Sequence, residues 1–299
     1  MLPPAQRRSW LELAVVPAIV VLLTARWIWI AGGGDFGWTY EPAMRIFSGE
    51  KPYRDFLTTL PPLSFYTLAG LISFWSPSLW AFNVHLYANW ILSLLAGVCV
   101  MRKLTQQRQL RIASALLATV LSLPAVNLNH AYNYQSTFFA GLIILFLLRW
   151  SEHGKAHDLL AAGLAAGLAW YAKQNVGGVM TLAGVLTVSV VCHSRGVLSL
   201  RVLSVQVAVF LAGWAIAFLL PFAWFAAAAG WKEVAEQFLV APGEAKGGTQ
   251  RILREIIPRI VLQPGTPLKT PTMFGLTALV AAFFVLLYTR GMDKLCRRN

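Results

Sequence analysis

The residues most able to do chemistry sit where apolar runs end. Gly32, Gly33 and Gly34 close the first long apolar run, Leu11 to Ala31, and Asp35 follows them directly. The glycines let the chain turn sharply, which leaves a carboxylate at a membrane boundary, where partial desolvation raises its basicity. Such a carboxylate suits a general base that takes a proton from a hydroxyl. An ordinary hydrophilic residue at a helix end would read the same way in isolation. Lys173 is the second candidate, since it ends one apolar run and is followed, after Gln174 and Asn175, by another. A cation placed there can hold an anionic group or snorkel to the boundary. Lys51 and Arg54 flank a Pro-Tyr turn, and Arg26 lies near the outer end of the first run. These three cations read equally as site or surface.

The elements that must position these groups are membrane helices. Of the 299 residues, 57% are hydrophobic and only 12% charged, and the mean hydropathy is +0.60, outside the range of soluble globular domains. A formal charge of +13 raises the possibility of nucleic acid, but the Lys and Arg residues lie between apolar runs and form no single basic face. Lipid head groups and phosphates fit them better. Roughly 20 apolar residues cross a hydrocarbon core of about 30 Å. Spans are expected near Leu11 to Ala31, Leu79 to Met101, Ile112 to Val126, Ser136 to Trp150, Leu159 to Ala172, Val176 to Cys192, Val202 to Ala229 and Met273 to Tyr288. The first reads as a retained signal anchor. Pro62 to Trp75 is also apolar; a full crossing there would invert every later loop, so it reads as a short or re-entrant helix, with a ninth crossing as the alternative. The expected fold class is therefore all-α, a polytopic transmembrane bundle of about eight or nine spans forming a single domain over residues 1–299.

Short loops rich in Lys and Arg stay in the cytoplasm. With eight spans, Arg7, Arg8, Arg102, Lys103, Arg108, Arg111, Lys155, Arg195, Arg201 and the tail from Arg290 share that side with both termini. The outer side then receives residues 32–78, the turn 127–135, the turn at Lys173 and residues 230–272. Within these, Trp38 to Phe47 and Thr249 to Leu262 carry apolar residues at helical spacing, which suits helices lying along the membrane surface. Pro221 predicts a kink inside its span. Tryptophans at the outer boundaries, Trp38, Trp75, Trp80 and Trp231 among them, read as interfacial anchors. The three cysteines, Cys99, Cys192 and Cys296, are too few and too dispersed for a disulfide framework and are expected as free thiols.

The segment GDFGWTYEPAMRIFSGEKPYRDFLTTLPPLSFYTLAG, which contains Asp35, resembles the first outer loop of polyprenyl-phosphate-sugar-dependent glycosyltransferases of the GT-C fold, of the family 39 type. Protein mannosyltransferases and aminoarabinose lipid A transferases belong to that group. Its pattern is an acid after the first span, an aromatic and Ala-rich amphipathic helix, a G-x-x-P-Y-x-D-F turn, and Pro-Pro-Leu opening the next apolar segment. Here these are Asp35, Tyr40 to Phe47, then Gly49, Pro52, Tyr53, Asp55 and Phe56, then Pro61, Pro62 and Leu63. The resemblance covers Trp27 to Leu71 closely; the remaining spans match in arrangement. It implies a transferase that inverts the anomeric centre, with Asp35 as catalytic base and a lipid-linked sugar phosphate as donor. A polyprenyl tail keeps the donor in the bilayer and its sugar outside, so the site belongs at the outer boundary, with a cation for the departing phosphate. An inverting displacement needs one base and a stabilised leaving group. Lys173 is the expected phosphate ligand, and Tyr40, Tyr53, Arg54, Asp55, His130 and Asn133 are expected around donor phosphate or sugar. The turn holding His130, Tyr132, Asn133 and Tyr134 suits hydrogen bonding and stacking of a sugar ring.

That turn has no acid, where many members of the resembled family place one. Asp35 and His130 alone make no convincing metal set, so no metal ligands and no cofactor are assigned, although a divalent ion stays open. The expected partners are the donor, membrane lipid and a glycan, lipid or protein acceptor, with no nucleic acid. The resemblance to bacterial enzymes implies an inner (plasma) membrane location. Members of the family are usually longer, so a compact or truncated form is expected. Two alternatives stand beside transfer: a transporter or flippase of lipid-linked sugars, and a noncatalytic relative.

Overall fold

The computed structural model describes residues 36–105, 107, 109–111, 114, 131–195 and 199–242. Regular structure among them is helical. We number the helices α1 (Phe36–Phe47), α2 (Leu63–Trp75), α3 (Leu79–Leu104), α4 (Ala131–His153), α5 (Ala156–Ala172), α6 (Gln174–Ser194), α7 (Leu200–Ala229) and α8 (Trp231–Ala235), after which one π-helical turn follows (Glu236–Val240). Four of these, α3, α4, α6 and α7, are long and apolar enough to cross a membrane. With 17 residues, α5 extends about 26 Å, and with 13 residues, α2 extends only about 20 Å. The expected spans from Leu79, Ser136, Leu159, Val176 and Val202 fall on α3 to α7, whereas those at Leu11 to Ala31 and Met273 to Tyr288, and all of Ile112 to Val126 except Ser114, lie outside the described residues.

Local chemistry sets the helix ends. Ser78 caps α3, its hydroxyl accepting from the Ala81 N–H, and Arg102 and Lys103 occupy the last turn, where the helix dipole favours cations. Gly230 ends α7 at φ 97°, a conformation that suits glycine, and turns the chain directly into α8. Pro221 lies inside α7, which continues through it as one helix. Lys173 breaks α5 from α6 with an extended backbone (φ −163°, ψ 110°) and flanks both helices.

Small residues let the central helices touch. On α5, Gly163 and Gly167 are one turn apart and meet Phe210, Trp214 and Ala217 of α7, while Gly213 of α7 meets Leu160 of α5. A Cβ on Gly167 would stand 2.6 Å from the Trp214 carbonyl oxygen, so the backbones leave no room for one. Close backbone approach of this kind replaces the hydrophobic drive that lipid cannot supply. The surrounding core comprises Ile143, Leu147, Trp150, Leu159, Ala166, Val188 and Phe210. A second core joins α2 and α3 through Leu68, Ile72, Phe82, Leu86 and Trp90.

The two ends of the bundle differ chemically. At one end Lys103 pairs with Glu152 at 2.6 Å, Arg149 pairs with the buried Asp158 at 3.0 Å, and Arg195 lies 5.5 Å from the Trp150 ring centroid and donates to the Ser151 carbonyl. Of these basic residues, Lys103 and Arg195 come from segments expected to be cytoplasmic, and Arg149 from the end of the expected span Ser136 to Trp150. The opposite end gathers α1, the 48–62 loop, the start of α4, the Lys173 break and the π-helical turn.

Candidate functional site

The loop after α1 is built around a tight turn. Gly49 takes φ 93° beyond the end of α1, and the Tyr53 N–H donates to the Phe56 carbonyl at 3.0 Å. Asp55 closes the turn: its carboxylate accepts from the Lys51 backbone N–H at 2.8 Å and from the Arg54 guanidinium at 2.7 and 2.8 Å. The Arg54 hydrogen bond, and after it the Lys51 N–H, hold the Asp55 carboxyl down at about 2. Arg45 of α1 fixes this loop to the helix, donating to Glu50 at 2.7 Å and to the Asp55 carbonyl at 3.0 Å and lying 4.5 Å from the Phe56 ring centroid. Arg54 and Asp55 therefore satisfy each other.

Tyr53 points inward. It is 4% exposed and sits at φ 69° in an aromatic cluster with Phe225 (centroids 5.2 Å apart) and Phe238 (6.3 Å). Its hydroxyl has no hydrogen-bond partner, and burial pushes its ionisation well above the usual tyrosine range. Tyr171 of α5 belongs to the same cluster, stacked on Phe238 at 5.1 Å and donating to the Phe218 carbonyl at 2.6 Å. Tyr53 thus anchors the loop on α5, α7 and the π-helical turn. Tyr40 is half-buried on α1 and packs against the α2–α3 core.

Two glutamines sew the segments at this end of the bundle together. Gln237 accepts from the Thr58 N–H at 3.2 Å and donates to the Tyr53 carbonyl at 3.3 Å. Gln174 donates to the carbonyls of Thr59 and Phe238, each at 3.3 Å. Beside Gln174, the Lys173 ammonium donates to Asn133 Oδ1 at 2.7 Å and lies 5.7 Å from the Tyr132 ring centroid. The expected turn 127–135 is in part helix: Ala131 begins α4, so Tyr132 and Asn133 stand in its first turn and face the α5–α6 break.

The arrangement brings together Lys173, Asn133, Tyr132, Gln174, the Tyr53–Leu60 loop and Gln237. Its chemistry is that of a cation held by a neutral amide and an aromatic face, a setting suited to an anionic group. Asp35 and His130 lie outside the described residues; in sequence, Asp35 immediately precedes Phe36, the first residue of α1. Among the described residues no three His, Cys, Asp or Glu side chains cluster as a metal site would require. Sequence reading passed over Arg45, whose spacing to Glu41 and Glu50 was its only signal, and Gln237, which carried none. No family model, curated protein or solved structure matches the chain.

Proposed function

We propose that this membrane protein is a glycosyltransferase that moves a sugar from a polyprenyl-phosphate donor to an acceptor hydroxyl at the outer membrane face, with inversion. The observation that carries this reading is the Lys173 ammonium, held by Asn133 and Tyr132 at a break between two helices of the bundle. A phosphate there gains a charge-assisted hydrogen bond in a partly desolvated setting, while its polyprenyl tail stays in the bilayer. Asp35 is assigned as the base, since it stands in sequence at the start of α1. The Tyr53–Leu60 loop forms one wall, and the finer parts of the reading go with it: a GT-C-like bundle of eight or nine spans, a bacterial inner membrane, and cytoplasmic termini. Arg54, Asp55 and Tyr53 shape the loop in this scheme, while Asn133 and His130 are assigned to donor binding.

A transfer assay in proteoliposomes tests it. Wild type is expected to transfer sugar from a polyprenyl-phosphate donor, and Lys173→Met to need a much higher donor concentration. Absence of transfer by well-folded wild type with every donor tried would contradict the reading. A second reading, movement of lipid-linked sugars across the bilayer, draws support from polar groups inside the spans. His85, Asn89 and Ser93 repeat at four-residue intervals on the buried side of α3, and Gln135 is buried on α4. Flipping of a labelled donor without transfer would favour that alternative.

A further inference from the structure

Where α2, α3 and α4 meet, a polar junction lies buried in otherwise apolar helices. The Thr67 hydroxyl of α2 lies 2.8 Å from His85 Nε2 of α3 and accepts from the Gln135 amide of α4 at 2.9 Å. The same oxygen approaches the Leu63 carbonyl, one turn back, at 2.8 Å. A hydroxyl has one proton and two lone pairs, so these contacts fix the protons. Carbonyl oxygens only accept, so the Thr67 proton goes to the backbone carbonyls of Leu63 at 2.8 Å and Ser64 at 3.1 Å. Its lone pairs then take N–H bonds from both Gln135 and His85. His85 is accordingly the tautomer protonated at Nε2, with a bare acceptor at Nδ1.

Two polar atoms at this junction have no partner, His85 Nδ1 and Gln135 Oε1, and a third bare atom, Ser64 Oγ, lies one turn before Thr67 on the same helix. Their residues are 4%, 4% and 0% exposed. Both nitrogen-bearing groups already converge on one hydroxyl, so their free atoms lie within a single ring or amide of it. Inside a bilayer, where water does not satisfy stray polar groups, acceptors left bare in this way are costly and mark functional positions. We propose that Thr67, His85 and Gln135, with Ser64 one turn away, form an intramembrane site for a hydroxyl-bearing guest, which donates O–H bonds to His85 Nδ1 and Gln135 Oε1. The guest is either water, which has a proton for each acceptor, or the lipid-linked sugar, which fills both with two of its hydroxyls. Gln135 follows Asn133 by two residues on α4, so the first turns of that helix present one amide to Lys173 and the other to this junction. The sugar arm rests on the glycosyltransferase reading; the water arm does not.

The test is nitrogen NMR on full-length wild type with labelled histidine in lipid nanodiscs, with the His85 signal identified by its loss in His85→Gln. Spectra are taken in lipid alone and after adding a polyprenyl-phosphate hexose or the same polyprenyl phosphate without sugar. A neutral His85 with Nδ1 accepting a hydrogen bond in lipid alone supports the site with water as guest. The same signature arising only with the sugar-bearing lipid supports it with a sugar hydroxyl, and Gln135→Leu is then expected to lower the preference for sugar-bearing over sugar-free lipid by about fivefold or more. A proton on Nδ1, or an Nδ1 without a hydrogen bond under all conditions, overturns the proposal. If the sugar-bearing lipid fails to bind at all, the spectrum in lipid alone still decides the water arm.

Discussion

Tyr53 allows the physical account to be checked at a single side chain. Its ring lies against Phe225 and Phe238, its hydroxyl is buried without a partner, and its backbone is left-handed at φ 69°. Removing the hydroxyl in Tyr53→Phe relieves an unsatisfied polar group, which typically costs about 1–3 kcal/mol. Part of that returns, so a gain of about 1 kcal/mol is expected. Tyr53→Ala keeps the strained backbone and loses the ring, for a loss of about 3–5 kcal/mol. Tyr53→Gly loses the ring too but recovers roughly 1–2 kcal/mol of left-handed strain. The stability order is therefore Phe, Tyr, Gly, Ala, with glycine above alanine, the reverse of their order inside a helix. Denaturant titration of the purified protein in one detergent, followed by tryptophan fluorescence, reads this order directly. A Phe variant less stable than wild type would mean that the hydroxyl does have a partner. Alanine above glycine would mean that the backbone is not left-handed.

The remaining predictions concern the packing, the loop and the donor. Gly167→Leu forces α5 off α7 and is expected to abolish the monodisperse species on size exclusion, whereas Gly37→Ala, which meets nothing nearby, leaves it unchanged. The Asp55 carboxyl, held near 2 by Arg54 and the Lys51 N–H, contributes stability that is present above the ordinary carboxyl range and lost as pH falls toward 2. Acidification below pH of about 4 should therefore expose the 48–62 loop to an acid protease such as pepsin, and Asp55→Asn should expose it at neutral pH to trypsin as well. Loss of the charge-assisted bond in Lys173→Met should weaken donor binding roughly 10- to 100-fold, with Lys173→Arg intermediate, as measured by titration with polyprenyl-phosphate hexose.

The bundle was legible from the sequence because apolar runs of membrane length need no tertiary context: α3, α6 and α7 begin within a few residues of where hydropathy placed them. The start of α4 was not, since Tyr132, Asn133 and Gln135 are polar residues that lower hydropathy yet continue the helix, each turned toward a partner on another element. The Lys173 break was legible as a lone cation between two runs, but its amide and aromatic partners come from about 40 residues away in sequence. Tyr53 was legible through its Pro-Tyr turn, but the cluster that buries it is assembled from α5, α7 and the π-helical turn, which no local pattern announces. The intramembrane polar groups were visible one at a time as His85, Thr67 and Gln135, and only the packing of α2 on α3 and α4 joins them.

The central claim is that a carboxylate at position 35 removes the acceptor proton while Lys173 holds the phosphate. Single-turnover sugar transfer by wild type, Asp35→Asn and Asp35→Glu, with donor binding measured on the same preparations, tests it most directly. Asp35→Asn is expected to bind donor within about twofold of wild type and to lose transfer by about 100-fold or more, with Asp35→Glu retaining part of it. Transfer by Asp35→Asn at the wild-type rate would contradict it.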